Sequence, residues 1–221
     1  MASYLVTGAN RGIGLEYCRQ IKKRGDRVIA VCRSVSDELQ SLDVQIETDV
    51  DITNDSLVEN LVKRLDGQTI DILINNAAIV ERVSLDNLDF ESIRRQFEVN
   101  AIAPLKLTHA LLNNLTSGSK VIMMTSRMAS IEDNTSGGSY GYRMSKVSMS
   151  MAGKSLSHDL KPKGISVAIL HPGLVKTRMT GFTNAGITTE ESVKGLLTRI
   201  DELNLKNTGT FWHSNGEILP W

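Results

Sequence analysis

The sequence predicts an α/β domain: a doubly wound parallel sheet of about seven strands, with helices on both faces in three layers. Three observations predict it. Short apolar runs alternate with longer amphipathic segments along the chain. The runs are apolar almost throughout, as strands covered on both faces must be. A glycine-rich turn separates the first run from the first helical segment, where such sheets bind ligands.

The elements follow in order. Strands are predicted at 4–6, 27–32, 44–48, 71–75, 120–125, 165–170 and 209–212. Helices are predicted at 13–24, 54–65, 87–97, 100–115, 142–160 and 189–203. No repeat or low-complexity tract interrupts them, so residues 1–221 read as one domain. The loosest stretches are "EDNTSGGSYG" at 132–141 and the region 176–189. Both follow strands at their carboxyl ends, where they border the expected site.

Composition narrows the function. Twenty-five basic residues balance 25 acidic ones, which gives no electrostatic case for nucleic acid or a membrane surface. No apolar run reaches the roughly 18 residues of a membrane span. The start of the chain runs straight into a core strand and not into a signal peptide. The two cysteines, Cys18 and Cys32, lack metal-ligand spacing and read as buried thiols of a reducing compartment. A cytoplasmic protein is expected. The four histidines form no cluster, so no metal site is expected.

The turn "TGANRGIG" at 7–14 is the first chemical signal. Gly8, Gly12 and Gly14 permit a tight turn whose backbone N–H groups approach a phosphate at a helix N-terminus. At the end of the second strand stands "VCRS". An acid there would hold the ribose of NAD(H); here Cys32 occupies the place and Arg33 follows. With Arg11 in the turn, two guanidinium groups suit the 2′-phosphate of NADP(H), with NAD(H) the alternative. Asp49, in "TDVD", either accepts from the adenine amino group or shapes a turn.

The second signal is "YGYRMSK" at 140–146. Residues four apart share a helix face, so Tyr142 and Lys146 stack while Tyr140 points elsewhere. A tyrosine with a pKa near 10 is a poor base near neutrality, and an adjacent cation lowers that value. Ser126 closes a strand and can meet Tyr142 over one oxygen; Thr125, Ser130 and Ser145 are competing hydroxyls. His171, before a Pro-Gly pair, reads as structural.

Six stretches in register, "TGANRGIG", "NNAA" (75–78), "FEVNAIAP" (97–104), "MMTSRMAS" (123–130), "YGYRMSK" and "HPGLVKT" (171–177), resemble the short-chain dehydrogenases/reductases over essentially the whole chain. The stretches "SIEDNTSGGSYGYRMSK" and "TNAGITTEESV" and the ending "GEILPW" look most like the C-factor-like branch, related to the sniffer-type carbonyl reductases. The resemblance implies a Rossmann-type sheet and an NADP(H)-dependent interconversion of a carbonyl (aldehyde, ketone or quinone) and an alcohol. It implies Tyr142 as acid/base, Lys146 lowering its pKa and holding the nicotinamide ribose, Ser126 on the substrate oxygen, and Asn100 holding a relay water. Cofactor contacts are implied for Gly8, Asn10, Arg11, Gly12, Ile13, Gly14, Arg33, Ser34, Asp49, Val50, Asn76, Ala77 and Ala78, for Tyr142 and Lys146, and for Pro172, Gly173, Val175 and Thr177. The family usually has glycine where Ala78 stands, and often where Ala129 stands. The 126–142 connection lacks the long insert of monomeric carbonyl reductases, so a homodimer or homotetramer is implied. The competing class is a non-enzymatic dinucleotide sensor or signalling protein on the same fold.

Overall fold

The computed structural model describes all residues, 1–221. Seven strands form one parallel sheet: β1 (Ser3–Thr7), β2 (Arg27–Val31), β3 (Gln45–Glu47), β4 (Ile72–Asn75), β5 (Lys120–Met124), β6 (Ser166–His171) and β7 (Thr210–His213). Their order is β3-β2-β1-β4-β5-β6-β7. The chain leaves β1 toward β2 and later returns to pair β4 on the other side of β1. That reversal opens a crevice at the carboxyl ends of β1 and β4, where this class of sheet binds ligands.

Alternate side chains divide the sheet between two cores. Leu5, Ile29, Leu73, Val121 and Ile169 face α3 (Asp55–Arg64), α5 (Ala103–Ala110) and α6 (Tyr140–Leu160). Val6, Ala30, Ile74, Ile122 and Leu170 face α1 (Gly12–Lys23) and α7 (Thr189–Glu202). Every central strand is therefore apolar on both sides, which is why no alternation shows in its sequence. Ser36, Asn54, Asp89 and Thr188 each cap a helix by accepting a backbone N–H three residues on.

Three differences from the sequence reading have local causes. A four-residue helix α2 (Asp37–Gln40) follows β2, too short to show a period. The helix expected at 142–160 begins at Tyr140, whose N–H bonds the Val83 carbonyl in place of a capping side chain. The segment expected as one helix over 100–115 is broken. Helix α4 (Phe90–Phe97) runs into a π-helical turn at Glu98–Ile102 before α5. Pro104 has no N–H to give the Asn100 carbonyl four residues back, so the ladder widens there. A 3₁₀ turn at Leu112–Asn114 follows.

The glycine turn is a steric necessity at two points. Gly8 lies at φ +66°, and a Cβ there would meet the Ala77 Cα at 3.0 Å. A Cβ at Gly14 would overlap the Gly8 carbonyl oxygen and stand 2.7 Å from Asn76 Nδ2. Gly14→Ala is therefore expected to lower stability by about 3 kcal/mol, the upper part of the overpacking range, read as a shift in the urea midpoint at unchanged slope.

Candidate active site

The carboxyl edge of the sheet gathers the residues singled out above. After β1 come Gly8–Gly14, and after β4 come Asn76–Ala78. Thr7 joins them: its Oγ1 accepts from Asn76 N at 2.9 Å and Ala77 N at 3.0 Å, and its carbonyl accepts from Asn76 Nδ2 at 2.9 Å. Thr7 looked like an ordinary strand residue in the sequence. Only the β1–β4 pairing shows its hydroxyl stitching two loops together.

Gly12, at φ +56°, faces Thr177, whose Cγ2 would lie 3.7 Å from an added Cβ. The 172–177 stretch thus reaches across to the glycine turn. Pro172 is fixed from behind, its carbonyl accepting from Ser192 Oγ at 2.7 Å and Ser214 Oγ at 3.2 Å. Gly173 (φ +86°) and the buried Val175 continue this clasp. Asn10 and Ile13 are half-buried in the glycine turn, and Arg11 is exposed at the start of α1. Ser36, another residue not singled out in advance, donates to the Asn10 carbonyl at 2.8 Å and holds the β2 end to the turn.

Arg33 and Ser34 follow β2 and are exposed; the Arg33 Nη1 stands 3.9 Å from Asp51 Oδ2. That distance is a loose, solvent-screened pairing that leaves the guanidinium available. The Cys32 carbonyl accepts from Val50 N at 3.1 Å. Asp49 sits at φ +59°, a left-handed position that makes it a turn residue whatever else it does. Ala78 and Ala129 both have negative φ, so neither site demands glycine of the backbone.

Three of the candidate catalytic residues gather where α6 meets the end of β5. Tyr142, Lys146 and Ser126 are buried there together. Lys146 Nζ lies 5.9 Å from the centre of the Tyr142 ring and donates to the Met124 carbonyl at 2.8 Å. Ser126, extended at the strand end, is buried close enough to Tyr142 for its hydroxyl to favour the phenolate. The competing hydroxyls are engaged elsewhere. Thr125 Oγ1 donates to the Lys146 carbonyl and pairs with Ser150; Ser130 donates to the Trp221 carbonyl; Ser145 donates to the Tyr142 carbonyl. Tyr140 stands at the helix start, partly exposed and away from the lysine.

Burial reverses one expectation. Removal from water pushes Tyr142 up to about 12, and the Ser126 hydroxyl only partly opposes this. The same burial pushes Lys146 down to about 7. In the protein chain alone Lys146 does not lower the tyrosine: its ammonium is aimed at Met124, and its own charge is disfavoured. His171 is pushed down to about 3 by burial, by His213 (ring centres 4.8 Å apart) and by Arg127, so it stays neutral.

Asn100 is fully buried in the π turn with both ends of its carboxamide bonded to protein groups. Oδ1 accepts from Ile79 N at 2.8 Å; Nδ2 donates to Ile79 O at 2.9 Å and to Ser145 Oγ at 3.0 Å. Pro104 cannot supply the N–H that an α-helix would give the Asn100 backbone carbonyl. The structure holds no group of three metal-ligating side chains, and no helix is long and apolar enough to cross a membrane.

The family model for short chain dehydrogenase matches residues 3–188. The chain belongs to the short-chain dehydrogenase/reductase family. It is an oxidoreductase of that type, with the carbonyl reductase and C-signal branch as its kin. It is 39% identical over 226 residues to the 1-hydroxy-2-glutathionyl-2-methyl-3-butene dehydrogenase of Rhodococcus sp. (strain AD45), covering 100% of both chains. It is 42% identical over 155 residues to the C-signal of Myxococcus xanthus, covering 69% of this chain and 93% of that one. Among solved structures, the NADPH-bound carbonyl reductase from chicken fatty liver superposes with a TM-score of 0.91 at 30% identity, covering 100% of this chain and 99% of that one. The carbonyl reductase Sniffer of D. melanogaster gives 0.92 at 29% identity, with both chains fully covered.

The depressed Lys146 gives a pH signature that any short-chain reductase with this burial should share. Between about pH 7 and pH 9 the lysine of the unfolded chain, with its ordinary value of 10.5, keeps a proton that the folded chain sheds. Unfolding free energy then climbs with pH, by about 1 kcal/mol per unit, and this contribution is lost as pH falls through the folded value of about 7. Lys146→Met should flatten that slope in urea unfolding; an unchanged slope would place the titration elsewhere.

Proposed function

We propose that this enzyme is an NADP(H)-dependent reductase interconverting a carbonyl and an alcohol, with Tyr142 as acid/base. The meeting of Ser126 and Tyr142 beside Lys146, on the sheet edge that carries the glycine turn, carries this reading. The cradle fits a dinucleotide. The turn is closed to side chains at Gly8 and Gly14, so a pyrophosphate can meet backbone N–H groups at the α1 N-terminus. Arg33 and Arg11 lie exposed on the ribose side, without an acid in the place of Cys32. NADP(H) is the cofactor this favours, as the NADPH-bound chicken relative also suggests. Asn76, Ala77 and Ala78 line its course, Asp49, Val50 and Ser34 flank the adenosine end, and Pro172 to Thr177 hold the nicotinamide end.

When bound, the nicotinamide supplies or takes the hydride. The protein's part is to hold the oxygen and move the proton. The Ser126 hydroxyl orients the substrate oxygen. Tyr142, protonated at neutral pH with a pKa of about 12, donates to the developing alkoxide in the reducing direction. Lys146, poised near 7, gains charge readily, and an ammonium there stabilises the phenolate that results. The Asn100 carbonyl supports a water behind Lys146 for resupply.

Leu174, Met179 and Phe182 are exposed on the loop after β6, and Ile131 is exposed after Ser126. These favour a modest, largely apolar aldehyde, ketone or quinone. A glutathione-bearing alcohol belongs beside them in any substrate panel, given the Rhodococcus relative. Residues 1–221 act as one domain in this reading. Ile102, Leu105, Met144 and Met151, exposed on the π turn, α5 and α6, support pairing with a second copy.

Tyr142→Phe should cut turnover on that panel by about 10²–10⁴-fold while NADPH binding, read by its fluorescence, survives. Retained turnover would remove Tyr142 from the chemistry. Arg33→Ala should weaken NADPH by about tenfold and NADH far less, by loss of one charge-assisted phosphate contact. Equal effects on the two would favour NAD(H).

A further inference from the structure

Residues 76–83 belong to no helix or strand, yet they run from the glycine turn past the catalytic helix. Their backbone groups need partners, and two buried carboxamides supply them. Asn100 grips the N–H and carbonyl of Ile79, as described above. Gln96, four residues earlier and fully buried, repeats the grip on Glu81. Its Oε1 accepts from Glu81 N at 3.1 Å and its Nε2 donates to Glu81 O at 3.1 Å, with a third bond to Ser92 Oγ at 3.3 Å. Four helical residues rise about 6 Å, and two residues of extended chain advance about 6.6 Å. The two side chains therefore read alternate residues of the 79–81 stretch in register.

Gln96 touches the catalytic helix as well. A Cβ on Gly141, the residue before Tyr142, would stand 2.5 Å from Gln96 Nε2 and 3.2 Å from Ile93 Cα. The Tyr140 N–H bonds Val83 O at 3.2 Å, so the gripped stretch and the start of α6 are tied to each other too. Gln96 thus stands where three parts meet: α4, the chain that continues from Ala77 and Ala78, and the turn of α6 that presents Tyr142.

We infer that Gln96 is a positioning residue for the reaction, setting the Ala77–Ala78 edge and the first turn of α6 at one fixed separation. This rests on the roles given above to Tyr142 and to residues 77–78. Gln96 touches neither substrate nor cofactor; it acts through the backbone of Glu81 and the packing of Gly141.

Two variants and two readouts test this. Gln96→Met keeps the volume and removes all three bonds. It should lower kcat by about tenfold with little change in the carbonyl KM, and weaken NADPH several-fold, because small misplacements of reacting groups are that costly. Gln96→Glu keeps the shape, and as a neutral acid it can both accept from Glu81 N and donate to Glu81 O. Once ionised it only accepts, and it then faces the Glu81 carbonyl without a proton. Its kcat, relative to the parent, should stay near parental at low pH and fall as pH rises. Both effects are taken per folded molecule, from circular dichroism and melting temperature. A lower melting temperature with parental kcat, NADPH affinity and pH profile in both variants would make Gln96 merely structural and overturn the inference. If the parent itself turns over no carbonyl, the proposed reaction fails, and the NADPH affinity of the two variants still decides the role of Gln96.

Discussion

The site depends on how α6 is fastened to the end of β5. Lys146 Nζ donates to the Met124 carbonyl, and in return Thr125 Oγ1 donates to the Lys146 carbonyl and pairs with Ser150 one turn on. These bonds run in both directions between a strand end and the second and third turns of a helix, in a buried setting where each is expensive to lose. They fix the helix in rotation and in height. Tyr142 lies one turn before Lys146 and Ser126 one residue after Thr125, so the meeting of the two hydroxyls follows from that fastening. Gly153 extends the same logic further along α6: a Cβ there would stand 2.9 Å from Ile169 Cγ1, so the helix lies close against β6 as well.

The sequence reveals those parts whose physics is local. Strands buried on both faces are apolar throughout, and all seven were readable within a few residues of their ends. The glycine turn shows because Gly8 and Gly14 have no substitutes there. The stacking of Tyr142 on Lys146 follows from helical spacing alone. What remained hidden depends on partners distant in sequence. Thr7 becomes a stitch only because β4 lies beside β1. Ser36 becomes a brace only because the β2 end folds over Asn10. The break before α5 was readable in principle from Pro104, but its consequence, a carbonyl at Asn100 without its usual donor, requires knowing that a helix already runs through residue 100. The direction of the Tyr142 shift was hidden for the same reason. A cation four residues away suggests a lowered pKa, but Lys146 turns its ammonium to Met124, and burial, a property of the whole fold, raises the value.

That opposition fits the proposed chemistry. A buried tyrosine with a raised pKa holds its proton at neutral pH, which is the state needed to protonate an alkoxide. A buried lysine near 7 is almost evenly divided between charged and neutral forms, so a modest electrostatic change moves it. Its strong acceptor in the chain is the Met124 carbonyl and its weak one Met149 Sδ at 3.7 Å, which leaves one ammonium donor for the crevice. An added hydrogen-bonding group in that crevice, such as a ribose hydroxyl, would raise the lysine toward its charged form. The charged lysine would in turn favour the phenolate. In the proposed reaction the tyrosine would thus be held as an acid by desolvation and would become a base only to the extent that Lys146 is charged. On that proposal, proton affinity in the site would depend on what occupies the crevice, through the burial of both groups on one turn of α6.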